Sequence, residues 1–208
     1  MTAACHDPTN VRTLDKSGNN LHFRFGDGAT STLYPTKLSA RGYSSDGSND
    51  YFQALANQTN AITSGTWAVF YRQTVISSVR TLYSHRAIAD NRGVLYVDGA
   101  HVAFYCGDNL NNSYILNIAV PKQATFAAGL RTTDGYRRIF VNGYYGVPNN
   151  LGVSLPSVVI ATNPVISGIS IGVPLNGDFL WYGHWEYALT ELQLRDLEAR
   201  LRRQLNDV

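Results

Sequence analysis

From residue 1 to about residue 188 no stretch carries the 3.6-residue apolar period of a helix. Short runs of β-branched and aromatic residues recur instead, each ended by Gly, Asn or Asp. "LHFRF" (21–25), "GTWAVFYRQ" (65–73) and "RTLYSHR" (80–86) read as strands. In "GVLYVDGAHVAFYCG" the pair Asp98-Gly99 stands between two alternating runs, which predicts a hairpin with a type I′ turn. "TFAAGLR" passes through "TTDG" into "YRRIFV", and Asn142-Gly143 turns that run into "YYG", a three-stranded meander with two tight turns. "VSLPSVVIA", "SGISIGV" and "GDFLWYGHWEY" supply later strands. Many short strands with turns every 8–12 residues or so predict an all-β, two-sheet antiparallel sandwich of jelly-roll type.

The last 21 residues differ. "ALTELQLRDLEARLRRQLNDV" has leucines at 189, 192, 194, 197, 201 and 205, near helical spacing. Thr190 with Gln193 three residues on forms a capping box. Arg195, Arg200, Arg202 and Arg203 sit toward the end where the helix dipole favours cations. A helix over about 191–205 is expected, with its leucine stripe on the sandwich and its arginines in water. No linker or internal repeat interrupts the chain, so residues 1–208 are read as one domain.

Composition narrows the function classes. A single domain of 208 residues buries about 70% of its unfolded surface and needs no metal or disulfide for stability. A net charge of +2 gives no footprint for nucleic acid or an anionic membrane. No window approaches the ~18 apolar residues of a membrane-spanning helix. The opening "MTAACHDPTNVRTLD" has neither a basic start nor an apolar run, so no signal peptide is expected. Of the two cysteines, Cys5 and Cys106, free thiols are favoured over a disulfide, since a chain without an export signal folds in a reducing compartment.

Five segments, in order, carry a resemblance: "LDKSGNN" (14–20), "SDGSNDYF" (45–52), "GTWAVFYR" (65–72), "FAAGLRTTDGYRRIFVNGYYG" (126–146) and "GDFLWYGHWEYALTELQLRDL" (177–197). Together they resemble the LamG-like jelly rolls of the concanavalin A-like lectin/glucanase superfamily. The resemblance implies two packed antiparallel sheets, one of them concave. Members often bind glycans or protein partners, some bind calcium, and others are architectural, including parts of phage virions. One departure stands out. The family's acidic pair early in the closing strand falls here on Leu180 and Trp181.

Candidate sites follow. Asp46 and Asp50 are carboxylates four apart in "SDGSNDYF". Calcium takes six to eight oxygens, so this loop would need ligands from elsewhere. Turn chemistry is the favoured reading, with Asp and Asn bonding local backbone and Gly47 at an unusual φ. Calcium binding and direct ligand contact are the alternatives, and no other cofactor is expected. Glycoside hydrolysis needs two carboxylates about one bond. The three glutamates are Glu186, Glu191 and Glu198, the last two on the expected helix, and no Glu-x-Asp-x-x-Glu pattern occurs. The histidines (6, 22, 85, 101, 184) lack metal-ligand spacing, and His85 and His101 read as satisfied polar residues beside strands. No catalytic residue is therefore assigned.

The aromatics carry more. Trp67, in an alternating strand, is assigned to the core. In a regular closing strand Trp181, Trp185 and Tyr187 share one side while Tyr182 and His184 share the other. One set must face away from the core or toward a partner. Tyr144 and Tyr145 follow a tight turn. Tyr144, Tyr145, Trp181 and Trp185 are thus the candidate glycan or partner contacts, with core packing the competing reading for each.

An outward-facing fold without an export signal suits a phage virion protein, made in the host cytoplasm and released by lysis. The expected function is a non-enzymatic virion surface component: a capsid decoration protein, head fibre or tail-associated adhesin. Its expected partners are other virion proteins or further copies of itself, with a cell-surface glycan as a further partner. Neither nucleic acid nor membrane insertion is expected. The alternative is a free bacterial carbohydrate-binding module.

Overall fold

A computed structural model describes residues 6–7, 9, 12–13, 22–38, 42–55, 64–75, 79–87, 90–99, 101–107, 113–116, 124–148, 165–166 and 173–205. Two sheets face each other. The seven-stranded sheet runs Tyr144–Tyr145, Arg137–Val141, Thr125–Arg131, Gly65–Gln73, Asn176–Trp185, Gly42–Asp46, Thr36–Leu38. The other contains ten described strands. Its main path runs His6–Asp7, Arg12–Thr13, Phe23–Phe25, Phe52–Ala54, Val165–Ile166, Arg80–Ala87, Asp90–Asp98, His101–Gly107, Ser113–Leu116. The tenth, Val173–Pro174, pairs in parallel with Arg80 and Thr81, while the other described pairs are antiparallel. The architecture is the all-β jelly-roll sandwich that the short alternating runs predict.

The inner core fills the space between the sheets. Trp67, Val69 and Tyr71 of the strand Gly65–Gln73 meet Tyr83, Leu95 and Phe104 of the opposite sheet. Trp67 is wholly buried, as expected. Its indole stacks on Tyr83 and on His184, with ring centroids 6.5 Å and 5.4 Å away. Space for that ring comes from missing side chains. A Cβ on Gly65, on the same strand, would come 2.8 Å from the indole, and one on Gly93, across the sandwich, 2.6 Å. Phe104 likewise lies directly over Gly129.

A second core lies on the outer face of the seven-stranded sheet. Ala68, Phe70, Phe126, Ala128, Leu130, Phe140 and Leu180 point outward there and are covered by Leu189, Leu194, Leu201 and Leu205. This double coverage is why the strand Gly65–Gln73 is buried at nearly every residue and not at alternate ones. The helix runs from Glu191 to Gln204 and keeps the predicted capping box. The Thr190 N–H donates to Gln193 Oε1 at 2.8 Å, and the Gln193 N–H donates to Thr190 Oγ1 at 3.3 Å. Its start is tied to the sheet by the Leu189 N–H, which donates to Thr66 Oγ1 at 2.9 Å.

Several expectations need correction. Leu192 does not join the stripe: it is 77% exposed. At 100° per residue it lies about 200° round from Leu194. Leu197 packs against this core half-buried, and beside it the buried position between Leu194 and Leu201 holds Glu198, which pairs with Arg202 at 2.7 Å. Arg202 does more than face water. Its guanidinium sits 5.3 Å over the Phe70 ring and donates to Asn142 Oδ1 at 2.9 Å. The first hairpin also differs. Asp98 pairs with His101 and stays in the strand, so the chain reverses after Asp98, with Gly99 at φ +57°. Asn142-Gly143 does form the expected turn, with both residues at positive φ and Val141 paired with Tyr144.

The run "VSLPSVVIA", most of "SGISIGV", Cys5 and the side chains of His85 and Cys106 lie outside the described residues. Among the described residues no helix is long and apolar enough to cross a membrane.

Trp67→Ala is expected to cost about 3–5 kcal/mol in a urea-unfolding experiment. Gly129→Ala, which adds one methyl against Phe104, is expected to cost about 1–3 kcal/mol. A Gly129→Ala protein as stable as the parent would contradict the close packing of Phe104 on that strand.

Candidate functional site

The closing strand, Asn176–Trp185, lies between Gly65–Gln73 and Gly42–Asp46 and presents side chains to both cores. Its pairing with Gly65–Gln73 contains one irregularity. Phe179 stands opposite Tyr71, yet Trp181 stands opposite the next residue back, Phe70. Leu180 is therefore an extra residue, a β-bulge. In a regular strand, residues three apart face opposite ways. Here the bulge shifts the parity. Phe179 points into the inner core, Leu180 and Trp181 both point out, and Tyr182 points in again.

That shift brings Asp178 and Trp181 to one face. Asp178 pairs directly with Arg72, one alternation along from Phe70, and their side chains form a 3.6 Å ion pair. The separation is too long for a good hydrogen bond. Arg72 keeps 33% of its side-chain surface and Asp178 17%, so both present polar groups to solvent. Beyond them on the same face lie Trp181, Gly183 and Trp185. The two indoles are 6.0 Å apart between centroids and tilted by 35°. They lean toward each other over Gly183, where an added Cβ would strike both. Trp181 and Trp185 are half-buried, flanking the helix-covered core, so the strand ends in an indole pair bordered by an acid–base pair.

The other aromatic candidates fall elsewhere. Tyr145 reaches the same outer face three strands from the closing strand's neighbour, at the opposite edge of the sheet. It meets Phe140 at 6.4 Å and lies under the Arg138 guanidinium at 4.8 Å. Phe140 contacts Phe126 at 5.8 Å, and Phe126 contacts Trp181 at 6.4 Å. Tyr145 and the Trp181–Trp185 pair are thus joined by one aromatic row whose middle, Phe140 and Phe126, lies in the helix-covered core. Tyr144 stands apart, 51% exposed. Tyr187, expected on the Trp181 side of a regular strand, lies past the strand's end at Trp185 and is 53% exposed. Tyr182 and His184 form the inward set, the first stacked on Tyr83 and the second on Trp67.

In the turn after Gly42–Asp46 both carboxylates hold backbone. Asp46 Oδ1 accepts from the N–H groups of Ser48 at 2.7 Å and Asn49 at 3.3 Å. Asp50 Oδ2 accepts from the Asp46 N–H at 2.9 Å. Gly47, at φ +79°, completes the turn, and its carbonyl accepts from Arg80 Nη1 at 2.6 Å. Burial raises the Asp50 pKa above the ordinary 3.8; the Asp46 N–H opposes that rise and the Asp46 charge adds to it. Asp27 holds a second turn in the same manner. It accepts from the N–H groups of Thr30 and Ala29 and from the Thr30 hydroxyl, and these bonds lower its pKa to about 2. No group of three or more His, Cys, Asp or Glu side chains converges among the described residues.

The sequence reading named Trp181 and Trp185 but missed Asp178 and Arg72. One signal was present: Phe179-Leu180-Trp181 puts three large apolar residues in succession inside an alternating strand, the mark of a bulge.

No family model matches the chain, and no curated protein sequence does. Solved structures do match in shape. The binding domain of botulinum neurotoxin serotype D is 14% identical, with a TM-score of 0.68 over 90% of this chain and 49% of that one. The binding domain of botulinum neurotoxin DC, solved in complex with rat synaptotagmin II, is 12% identical, with a TM-score of 0.66 over 91% and 49%. The CBM40 of the Ruminococcus gnavus IT-sialidase, bound to α2,3-sialyllactose, is 17% identical, with a TM-score of 0.54 over 66% and 83%. The chain spans about half the length of the neurotoxin binding domains that it matches. At these identities the likeness establishes the β-sandwich fold alone.

The two turn carboxylates are expected to titrate in opposite directions. Asp27 has a folded pKa below its unfolded one, so its stabilising contribution is present above the ordinary 3.8 and disappears as pH falls through about 2. Asp50, with a raised pKa, opposes folding increasingly as pH rises from 3.8 through its folded value. A carboxyl carbon NMR titration should give a midpoint near 2 for Asp27 and one above 3.8 for Asp50. The reverse order would contradict the turn geometry.

Proposed function

We propose that this chain is a non-enzymatic recognition domain, a LamG-like member of the concanavalin A-like group, that acts by contact with a surface-displayed glycan or protein. One observation carries the reading: the half-buried Trp181–Trp185 pair, aligned by a bulge with the partly buried Arg72–Asp178 pair on one sheet face. Surfaces that combine aromatic faces with a few charged hydrogen-bonding groups recognise ligands without chemistry. Several acids of the turns, the closing strand and the helix are already engaged within the fold. Asp27, Asp46 and Asp50 hold turns, and Asp178, Glu191, Asp196 and Glu198 each pair with an arginine.

The fold neighbours, carbohydrate- and receptor-binding domains by name, favour a carbohydrate-binding module as the form this recognition takes. A phage-virion setting rests on the sequence alone. It would place the domain on the virion surface, against other virion proteins or further copies of itself. Calcium at Asp46 and Asp50 would share these carboxylates with the turn's own N–H groups and would need further oxygens from elsewhere, and the proposed function does not depend on it.

Fluorescently labelled protein, confirmed folded by circular dichroism, is expected to bind a subset of a mammalian and microbial glycan array saturably. It should also bind intact bacterial cells or virions that display those glycans. A flat array, with no cell or virion binding, would remove the recognition reading.

A further inference from the structure

We infer that the outer face formed by Arg72, Asp178, Trp181 and Trp185 is a binding subsite for a neutral pyranoside that presents two adjacent equatorial hydroxyls. The inference rests on the recognition reading above and names its site and ligand class.

The bulge at Leu180 is the first ground. Were the same residues to run in strict alternation from Asp178 onward, with Leu180 taking a paired position, the faces would exchange. Trp181 and Trp185 would then turn inward, and Tyr182 and His184 outward. The irregularity therefore does a specific thing: it puts the indole pair on the face that carries Asp178 and Arg72. It does so in the strand that also sets both cores, where a register defect is least tolerated.

Complementarity is the second ground. The axial C–H groups of a pyranose ring form an apolar face. That face stacks on an indole, which is large, rigid and inexpensive to order. The two rings lie 6.0 Å apart and converge over Gly183, so they offer one continuous surface of about one to two sugar rings. The Arg72–Asp178 pair borders it. A carboxylate accepts from two neighbouring hydroxyls, while a guanidinium donates to the oxygen of one of them, and both bonds are charge-assisted. At 3.6 Å the two groups are close enough to neutralise each other but not locked in a short hydrogen bond, so a ligand hydroxyl can enter between them. The pair carries no net charge, and Asp178 would repel an acidic substituent. Both points favour a neutral sugar over an anionic one.

Gly183 is the third ground. Any side chain there would push the two indoles apart, so the residue is matched to the paired platform as much as to the strand.

The test is isothermal titration of the full chain with lactose, cellobiose and 3′-sialyllactose. Tryptophan fluorescence and circular dichroism confirm each variant's fold. The parent should bind lactose or cellobiose, and no more weakly than it binds 3′-sialyllactose. Asp178→Asn changes no packed apolar contact and should weaken that binding by about tenfold or more. Trp181→Ala should weaken it at least as much, and Trp181→Phe should recover part of the loss. Because Trp181 also touches Phe126, Asp178→Asn and Arg72→Gln keep the test decisive if Trp181→Ala fails to fold. Folded Asp178→Asn and Arg72→Gln proteins that bind lactose or cellobiose like the parent would overturn the site while leaving recognition standing. Binding of 3′-sialyllactose alone would overturn the neutral-sugar assignment. A parent that binds none of the three would overturn the subsite, and the glycan array separately decides whether recognition falls with it.

Discussion

The pairing of Gly65–Gln73 with Asn176–Trp185 sets both cores of this molecule at once. Each strand alternates, so each position chosen for one core fixes its neighbour for the other. Trp67, Val69 and Tyr71 go inward, which leaves Ala68 and Phe70 outward. The partner strand must match this on both faces, and a regular ten-residue strand would not. Asp178 would lie on one face and Trp181 on the other. The extra residue at Leu180 resolves the conflict, because it lets Phe179 and Tyr182 fill the inner core while Leu180, Trp181 and Trp185 serve the outer one. The local disruption costs a ladder hydrogen bond, of order 1 kcal/mol. Burying side chains such as Tyr182 and Leu180 on their proper faces, at roughly 1.5–3 kcal/mol each, outweighs it.

The helix depends on the same pairing. Its leucines have somewhere to go only because the outer face between Phe140 and Leu180 is apolar. It is anchored at one end by Thr66 and at the other by Arg202, which bonds Asn142 and covers Phe70. Asn142 itself is held in its turn by Phe126, whose N–H donates to Asn142 Oδ1 at 2.9 Å. The capped helix, the tight turn and the sheet face thus form one mechanical unit, and Trp181 and Trp185 emerge along its flank.

Much of this was legible in the sequence, for local reasons. The strand 65–73, the meander through Asn142-Gly143, the capping box at Thr190 and the burial of Trp67 each follow from residues within a few positions of one another. Those features carry their own chemistry: alternation, positive φ, side-chain capping. The first hairpin was misplaced by one residue, since Asp98 had a partner in His101 that a dipeptide rule does not see. Leu192 belongs to the stripe by its identity, but its angle puts it on the far side. The candidate site was half legible. Trp181 and Trp185 are conspicuous residues, but their link to Arg72 and Asp178 depends on pairing across about a hundred residues and on a shift of one position. Tyr145 follows a tight turn as conspicuously as they do, yet sheet order sets it on an edge strand four strands from the closing strand. What failed to show in the sequence was nonlocal pairing, not composition.

The most direct test of the central claim is a two-dimensional ¹⁵N spectrum of the three tryptophan indole N–H groups, followed while lactose or cellobiose is added. Trp67 is sealed between Gly65 and Gly93, whereas Trp181 and Trp185 lie side by side on the outer face. The account predicts that the Trp181 and Trp185 signals move together and saturate while Trp67 stays fixed. Saturable sugar binding that leaves both outer indoles unmoved would contradict it.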